Sequence, residues 1–337
     1  MSQWRERHVQ NWAYDGHTEN VRQCLVHSRR DAFELADPDG GIPKTALHQV
    51  AESATSGPLM KDINFDRLCD TLDLLVEYGG PEACRVVDPY HETTALHWTS
   101  YGGGSKGAAY VARKMLECGV DVNSTSNEGA TALDLCALTA NWRVASVLLA
   151  ANAIVESGRG PDECLDSDSF MAANNEYASS ESSVSSSNHS MTESYMLFRA
   201  DQTPLVISMG KVIALDPDNV YYAKELRSHL RLWPRLLRAG ANLPSSVRRI
   251  YDGSVQFYPI EDVHPYLRDV YDEGGFERYA NMHKSRLVDT FTSMLSEKFQ
   301  PAVDGPEADT SYQKKIVHLI VEYYLEHAGH SGRYLMF

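Results

Sequence analysis

The sequence predicts an all-α protein made of helix-turn-helix repeats that stack on one another and end in a C-terminal helical region. Three observations predict this class. A short phrase recurs along the chain, an amphipathic segment with a helix-stopping residue follows each copy, and 43% of the residues are apolar, as in an ordinary folded protein. One helix pair cannot bury its apolar face alone, so the pairs must pack against their neighbours.

The recurring phrase marks the start of the first helix in each predicted pair. It reads T-A-L-H at residues 45–48 and 94–97, T-A-L-D at 131–134 and T-P-L at 203–205. Threonine at a helix start can accept hydrogen bonds from exposed backbone N–H groups, while Ala and Leu allow close packing between helices. The copies lie further apart than the ~33 residues typical of short helical repeats, so the excess chain must leave the repeats as loops.

The second amphipathic segments carry a resemblance to a known family. Residues 115–123 read M-L-E-C-G-V-D-V-N and residues 236–243 read L-L-R-A-G-A-N-L. Both resemble the end of the ankyrin repeat, L-L-x-x-G-A-x-V-N, and residues 13–22 are similar to the junction between its two helices. The resemblance implies an ankyrin-repeat solenoid with β-turn fingers, in which Gly119 and Gly240 accept left-handed backbone geometry after a helix.

The resemblance divides the chain into four parts. These are ankyrin repeats at 1–155 (a degenerate first unit plus three), a disordered Ser-rich and acidic insertion at 156–200, a divergent ankyrin repeat at 201–250 and a C-terminal helical cap at 251–337. The cap is similar to tails that follow ankyrin repeats in some algal and other protist proteins. In the insertion, Ser167 and Ser190 lie in patterns that acid-directed kinases could modify; a passive acidic linker is the alternative.

Charge and hydropathy restrict the partners. The formal net charge of −15 argues against nucleic acid and anionic membrane. No apolar run is long enough to span a bilayer, and the first residues lack a signal-peptide core. Six cysteines without a C-x-x-C pair are typical of free thiols in a reducing compartment. We therefore expect a cytoplasmic protein, with the nucleus as the second candidate compartment.

The sequence lacks the common catalytic and metal-binding motifs. It contains no G-x-S-x-G, P-loop or H-E-x-x-H pattern. His327 and His330 could hold two corners of a metal site, but no Cys or acidic residue is spaced to complete it apart from Glu322 and Glu326 on the same predicted helix. We expect no catalytic residue, metal, cofactor or small-molecule substrate. An enzyme with an unrecognised site around His264, His283 and Asp289 is the alternative of another class.

The histidines of the phrase are predicted to be structural. The resemblance implies that His48 and His97 hydrogen-bond to backbone and link neighbouring repeats. Asp134 departs from the pattern, so we expect a weaker junction there. The residues predicted to hold the repeats are Thr45, His48, Thr94, His97, Thr131, Thr203, Gly119 and Gly240.

The partner-binding positions are predicted on the fingers and on the exposed side of the first helices. An exposed Tyr and Trp cluster there would form a binding hot spot. The alternative is that Trp98 belongs to the core. The candidate residues are Tyr90, His91, Thr93, Trp98, Tyr101, Asn127, Glu128, Leu138, Gln49 and Glu52, with Lys44 beside them.

Together these patterns predict a non-catalytic scaffold that binds a protein partner through a concave ankyrin surface. A preformed surface lowers the ordering cost of binding. A second interpretation makes the chain a substrate-recognition adaptor whose C-terminal helices recruit a ubiquitin-ligase component, for example through a predicted helix at 312–327.

Overall fold

The computed structural model describes residues 8–36, 42–55, 65–102, 104–156, 202–216, 218–219, 221–251 and 254–298. Ser167, Ser190, His327, His330 and the helix predicted at 312–327 lie outside these residues. The chain splits into two compact units, residues 1–259 and 260–337, and each is described by itself.

The described part of the first unit consists mainly of helices in pairs. The first helices of the pairs are α1 (Val9–Tyr14), α3 (Ala46–Thr55), α5 (Ala95–Trp98), α7 (Ala132–Thr139) and α9 (Pro204–Ala214). The second helices are α2 (Thr18–His27), α4 (Phe65–Cys84), α6 (Lys106–Glu117), α8 (Trp142–Ala150) and α10 (Tyr222–Arg238). A short 3₁₀ turn at Arg29–Ala32 follows α2.

The first helices begin where the recurring phrase predicts. Helices α3, α5, α7 and α9 each start directly after its threonine. At α9, the Thr203 hydroxyl accepts a hydrogen bond from the N–H of Val206 at 3.4 Å. Pro204 occupies the first turn, where its missing N–H costs nothing.

The helices contact one another in two layers. First helices contact in the order α1, α3, α5, α7, α9, second helices contact in the order α2, α4, α6, α8, α10, and the two members of each pair also pack together. Each layer therefore continues from pair to pair. Burying one Leu or Met side chain contributes about 1.5–3 kcal/mol. The fully buried side chains include Leu47, Leu96, Leu133 and Leu205 from the first helices and Leu72, Leu75, Met115, Leu148 and Trp233 from the second.

Left-handed residues close three of the second helices in the same way. Gly119, Asn152 and Gly240 have φ of 77°, 62° and 97°. In each case the next residue's N–H bonds to the carbonyl five residues earlier, at 3.2 Å after α6 and 3.0 Å after α8 and α10. Helix α4 is instead broken at Gly80, where φ is 68°. The closures at Gly119 and Gly240 are those expected from the sequence.

A β-hairpin ends the first unit and was not predicted. Strands β1 (Ser246–Tyr251) and β2 (Ser254–Pro259) pair antiparallel, with Val247 opposite Tyr258. The expectation of a purely helical region from residue 251 is therefore wrong for this segment. The Asp-Gly dipeptide at 252–253, a common hairpin turn between β-branched and aromatic residues, is the signal that could have found it.

The described part of the second unit is helical. It contains α11 (Ile260–Val263), α12 (Pro265–Asp272) and α13 (Phe276–Lys298). His264 caps α12, because its Nδ1 accepts a hydrogen bond from the N–H of Tyr266 at 3.1 Å. The described residues are thus mostly helical, as the predicted all-α class requires, and none of their helices is long and apolar enough to cross a membrane.

Candidate functional site

Two hairpin-like turns precede α5 and α7, and we call them finger A (residues 87–94) and finger B (residues 125–131). Single β-bridges join Val87 to Thr94 and Thr125 to Thr131 at their bases. A third bridge joins Ala36 to Lys44 ahead of α3. The fingers lie where the sequence places partner-binding residues, directly before each copy of the phrase.

Asp88 fixes the conformation of finger A. Its Oδ1 accepts hydrogen bonds from the N–H groups of Tyr90 and His91 at 3.1 and 2.7 Å. Its Oδ2 accepts from the N–H of Thr93 at 3.0 Å and from the Thr93 hydroxyl. Burial raises the pKa of this carboxyl, but the hydrogen bonds from Thr93 and His91 outweigh burial and hold the pKa below its usual value. Asp88 was not singled out in the sequence; its place six residues before Thr94 is the signal.

Finger B is bonded to finger A. The backbone N–H of Asn127 donates to the His91 carbonyl at 2.9 Å, and its Nδ2 donates to the Tyr90 carbonyl at 2.7 Å. Gly129 turns finger B with φ of 78°, while exposed Glu92 takes the same left-handed conformation in finger A with φ of 53°. The two fingers therefore form one hydrogen-bonded support.

The support presents an aromatic ring and a carboxyl group. Tyr90 is 55% exposed, among the most exposed large apolar or aromatic side chains described. Glu128 is half-buried, and its Oε2 is shielded from solvent with no hydrogen-bond partner among the described residues. Burial raises the pKa of Glu128 to about 7. A buried acceptor without a donor is costly, and because this oxygen is shielded from solvent, a partner could bond to it only after the side chain moves to expose it.

The first helices add a cluster built on Trp98. The Lys44 ammonium lies 3.9 Å from the centre of the Trp98 ring and 2.7 Å from Glu52 Oε2. The Trp98 indole N–H donates to the Thr93 hydroxyl at 3.0 Å, and the Tyr101 ring centre is 5.6 Å away. Glu52, Tyr101 and the neighbouring Gln49 are half-buried.

Three predicted contact residues are buried. Thr93, Trp98 and Leu138 are 1%, 3% and 4% exposed. Trp98 thus follows the core alternative, because Lys44 covers its face and Thr93 binds its N–H. The Thr93 hydroxyl is hydrogen-bonded to the Asp88 carboxylate and the Trp98 indole, and Leu138 is a buried residue of α7. The prediction that these three offer an exposed surface is wrong.

His48 and His97 each join two segments of backbone. Nδ1 of His48 accepts from the Thr45 N–H at 3.3 Å, and Nδ1 of His97 accepts from the Thr94 N–H at 3.2 Å. Because a backbone N–H can only donate, the ring hydrogen sits on Nε2. Nε2 of His48 donates to the Thr93 carbonyl at 3.0 Å, and Nε2 of His97 donates to the Ser124 carbonyl at 3.1 Å.

These histidines are held neutral. Burial lowers the pKa of His48 and of His97 to about 4. Protonation of Nδ1 would place a donor against the backbone N–H that it now accepts from. This geometry supports the predicted structural role of His48 and His97.

Asp134 makes the hydrogen bonds to the helix start that His48 and His97 make in the other copies of the phrase. Its Oδ2 accepts from the N–H and hydroxyl of Thr131, both at 2.8 Å, and the Thr131 hydroxyl accepts from the Asp134 N–H at 3.2 Å. The helix start is therefore capped. An ionised carboxylate cannot donate to a neighbouring carbonyl as Nε2 does, and the weaker junction expected at Asp134 stays a prediction.

The residues of the alternative enzyme site have other contacts. His264 caps α12, and the His283 ring centre lies 4.3 Å from that of Tyr279. Asp289 lies on α13. Among the described residues no group of three or more His, Cys, Asp or Glu side chains could hold a metal ion.

Comparison with known proteins adds no relatives. No protein-family model matches the chain, and no curated protein matches it at a significant level.

Proposed function

We propose that this chain is a non-catalytic scaffold of the ankyrin type that binds a partner protein through fingers A and B and the adjoining first helices. Three features support the ankyrin-type repeat: the two-layer order of helix pairs, the left-handed closure of three second helices, and the histidines that bond to finger A and to the residue before finger B. The bridges also position each finger relative to the helix before it.

The binding role rests on one observation, the presentation of Tyr90 on a rigid support. Its backbone N–H is fixed by Asp88 and its carbonyl by Asn127, while its side chain stays 55% exposed. Ordering such a residue on binding costs little, since its loop is already fixed. Exposed, preorganised tyrosines are typical of binding hot spots.

The surroundings of Tyr90 favour a protein partner. Asn127 is exposed and donates from Nδ2 to the Tyr90 carbonyl, and His91, the next residue after Tyr90, is half-buried, so polar residues accompany Tyr90. This mixture of one aromatic anchor and a polar rim is common in protein–protein interfaces. The net charge of −15 disfavours nucleic acid as the partner.

Comparative affinity capture tests this function. The full-length wild type is compared with Tyr90→Ala and with a matched control, Tyr221→Ala, whose tyrosine is 66% exposed ahead of α10. Loss of a hot-spot tyrosine should cost about 2 kcal/mol, or roughly 30-fold in affinity. A specific partner should therefore be lost from Tyr90→Ala and retained by Tyr221→Ala. A partner retained by both variants would contradict binding through the fingers.

A further inference from the structure

Two cysteines meet where neighbouring second helices end. Cys84 is the last residue of α4, in the short helical turn that follows the break at Gly80, and Cys118 directly follows α6. Helices α4 and α6 pack against each other. Both cysteines are free thiols, and the Cys118 thiol is joined to the Cys84 thiol by a side-chain hydrogen bond. We call these two residues the thiol pair.

A second contact brings the same two segments together. The Arg85 guanidinium lies 3.2 Å from the position that a Cβ on Gly119 would take. Arg85 and Gly119 follow the two cysteines in sequence, so successive residues of the two helix ends face each other. The thiol of Cys84 is also oriented from its own helix, because it donates to the Gly80 carbonyl at 3.8 Å. Its sulfur is then the acceptor for the Cys118 thiol.

The two thiols differ in their access to solvent. Cys84 is 0% exposed, whereas Cys118 is half-buried between exposed Glu117 and exposed Gly119. Burial, followed by the Cys118 thiol, raises the pKa of Cys84 to about 12. Because the thiolate is the reactive form of cysteine, a small oxidant in solution reacts with Cys118 first. Cys84 then has the sulfur of Cys118 as its neighbouring reaction partner.

Thiol–disulfide exchange gives the thiol pair a balanced reaction. The Cys118 thiolate attacks one sulfur of a small disulfide such as oxidised glutathione, breaks its S–S bond and releases one glutathione. The Cys84 thiolate next attacks Sγ of Cys118, forms the protein disulfide and releases the second glutathione. The protons of the two cysteines pass to the two released thiols. The protein thus loses two electrons, and the small disulfide gains them.

We propose that Cys84 and Cys118 form a redox modification site, which takes a small disulfide as oxidant and closes into an intramolecular disulfide between the ends of α4 and α6. Holding the second thiol beside the first raises its effective concentration, which offsets its small thiolate fraction. The bond requires the two sulfurs to approach to about 2.05 Å, and this shift falls at helix ends. The inference does not depend on the proposed function.

Peptide mapping of the full-length wild type tests the site without any substitution. The reduced protein is incubated at low concentration with oxidised glutathione, the remaining thiols are blocked, and the digested fragments are identified by mass spectrometry. We expect a disulfide-linked fragment that contains Cys84 and Cys118 as the main product, and its loss on adding dithiothreitol. Two free cysteines, a lasting mixed disulfide on Cys118, or preferential linkage to another cysteine would overturn the proposal.

Matched variants check the order of the reaction. Cys118→Ser should abolish the link and leave buried Cys84 unmodified, whereas Cys84→Ser should leave Cys118 as a mixed disulfide with glutathione. The control Cys24→Ser removes a half-buried thiol from α2 and should leave the link unchanged. Glutathione on Cys84 in the Cys118→Ser variant would contradict the order of attack. Circular dichroism melts show that each variant is folded.

Urea denaturation measures what the link does to the fold. A disulfide between residues 84 and 118 restricts the unfolded chain, so the oxidised wild type should unfold at a higher urea concentration than the reduced wild type. Cys118→Ser should show no such difference between the two conditions. A midpoint that stays constant or falls when the wild-type link forms would contradict a disulfide that fits the native packing of α4 and α6.

Discussion

His48 and His97 show how one side chain can serve two backbone segments. Nδ1 accepts from the start of the histidine's own helix, while Nε2 donates to a carbonyl of finger A from His48 and to the carbonyl directly before finger B from His97. Neutral imidazole has an acceptor and a donor on opposite sides of one rigid ring, which an amide or carboxylate of similar length does not offer.

Replacing His97 by Asn separates the two bonds. The Asn side chain can still accept from the helix start, but it is too short to reach the Ser124 carbonyl, which is left without its donor. We expect His97→Asn to lower the free energy of unfolding by about 1–3 kcal/mol, measured by urea denaturation. The control His27→Asn, at an exposed position on α2, should change it by less than about 0.5 kcal/mol. Equal effects would contradict the bridging role.

The roles of single residues could be predicted from the sequence only where a local pattern defines them. The T-A-L-H phrase and its resemblance to the ankyrin repeat were enough to predict a structural role for His48 and His97. Their carbonyl acceptors could not be predicted by spacing, because Thr93 follows His48 by 45 residues and Ser124 follows His97 by 27. Trp98 could not be assigned, since its burial depends on Lys44, which is far away in sequence. The bonding of Asn127 to finger A likewise depends on contacts between two repeats.

Three of the helix pairs share a closure that depends on one left-handed residue. Gly119 provides it after α6 with φ of 77°, and an added Cβ there would come within 3.2 Å of Arg85. Gly210 lies inside α9, where a Cβ would meet nothing within 4 Å. The same substitution should therefore have opposite effects at the two glycines.

Gly119→Ala should destabilise the protein by about 1–2 kcal/mol, because an L-residue is strained in the left-handed region. Gly210→Ala should stabilise it by about 0.5–1 kcal/mol, because alanine restricts the unfolded chain and favours the helix. Thermal and urea unfolding of both variants measure the difference. A loss of stability at Gly210 as large as that at Gly119 would contradict the assigned backbone roles.

Element positions could be predicted better than element lengths. The threonines and glycines fix where helices start and stop, so α3, α7 and α9 begin as expected. Helix α5 spans only Ala95–Trp98, a length that the phrase does not encode. The hairpin of β1 and β2 was not predicted, because helical periodicity carries no information on strand pairing; the sequence signal for it is the Asp-Gly dipeptide at 252–253.

Buried neutral histidines make the free energy of unfolding depend on pH. Burial lowers the pKa of His48, His97 and His229 to about 4, against about 6.5 in an unfolded chain. Between these values the unfolded state binds more protons, so stability falls as the pH falls from 6.5 towards 4. Glu128 acts in the opposite direction, because its pKa is raised to about 7, but it is partly exposed and therefore screened.

Urea denaturation at several pH values measures this linkage. Each of the three histidines should contribute on the order of 2 kcal/mol of lost stability between pH 6.5 and 4. The midpoint should therefore move to lower urea on acidification through this window. A midpoint that stays constant or rises would contradict the neutral, buried state of these rings.

Hydrogen exchange on the full-length protein, alone and with its captured partner, tests binding through the fingers most directly. Partner binding should slow amide exchange at residues 88–93 of finger A and 126–130 of finger B, and leave α2, α4 and α6 unchanged. Slowed exchange confined to the second helices or to residues 260–298 would contradict the proposed binding surface.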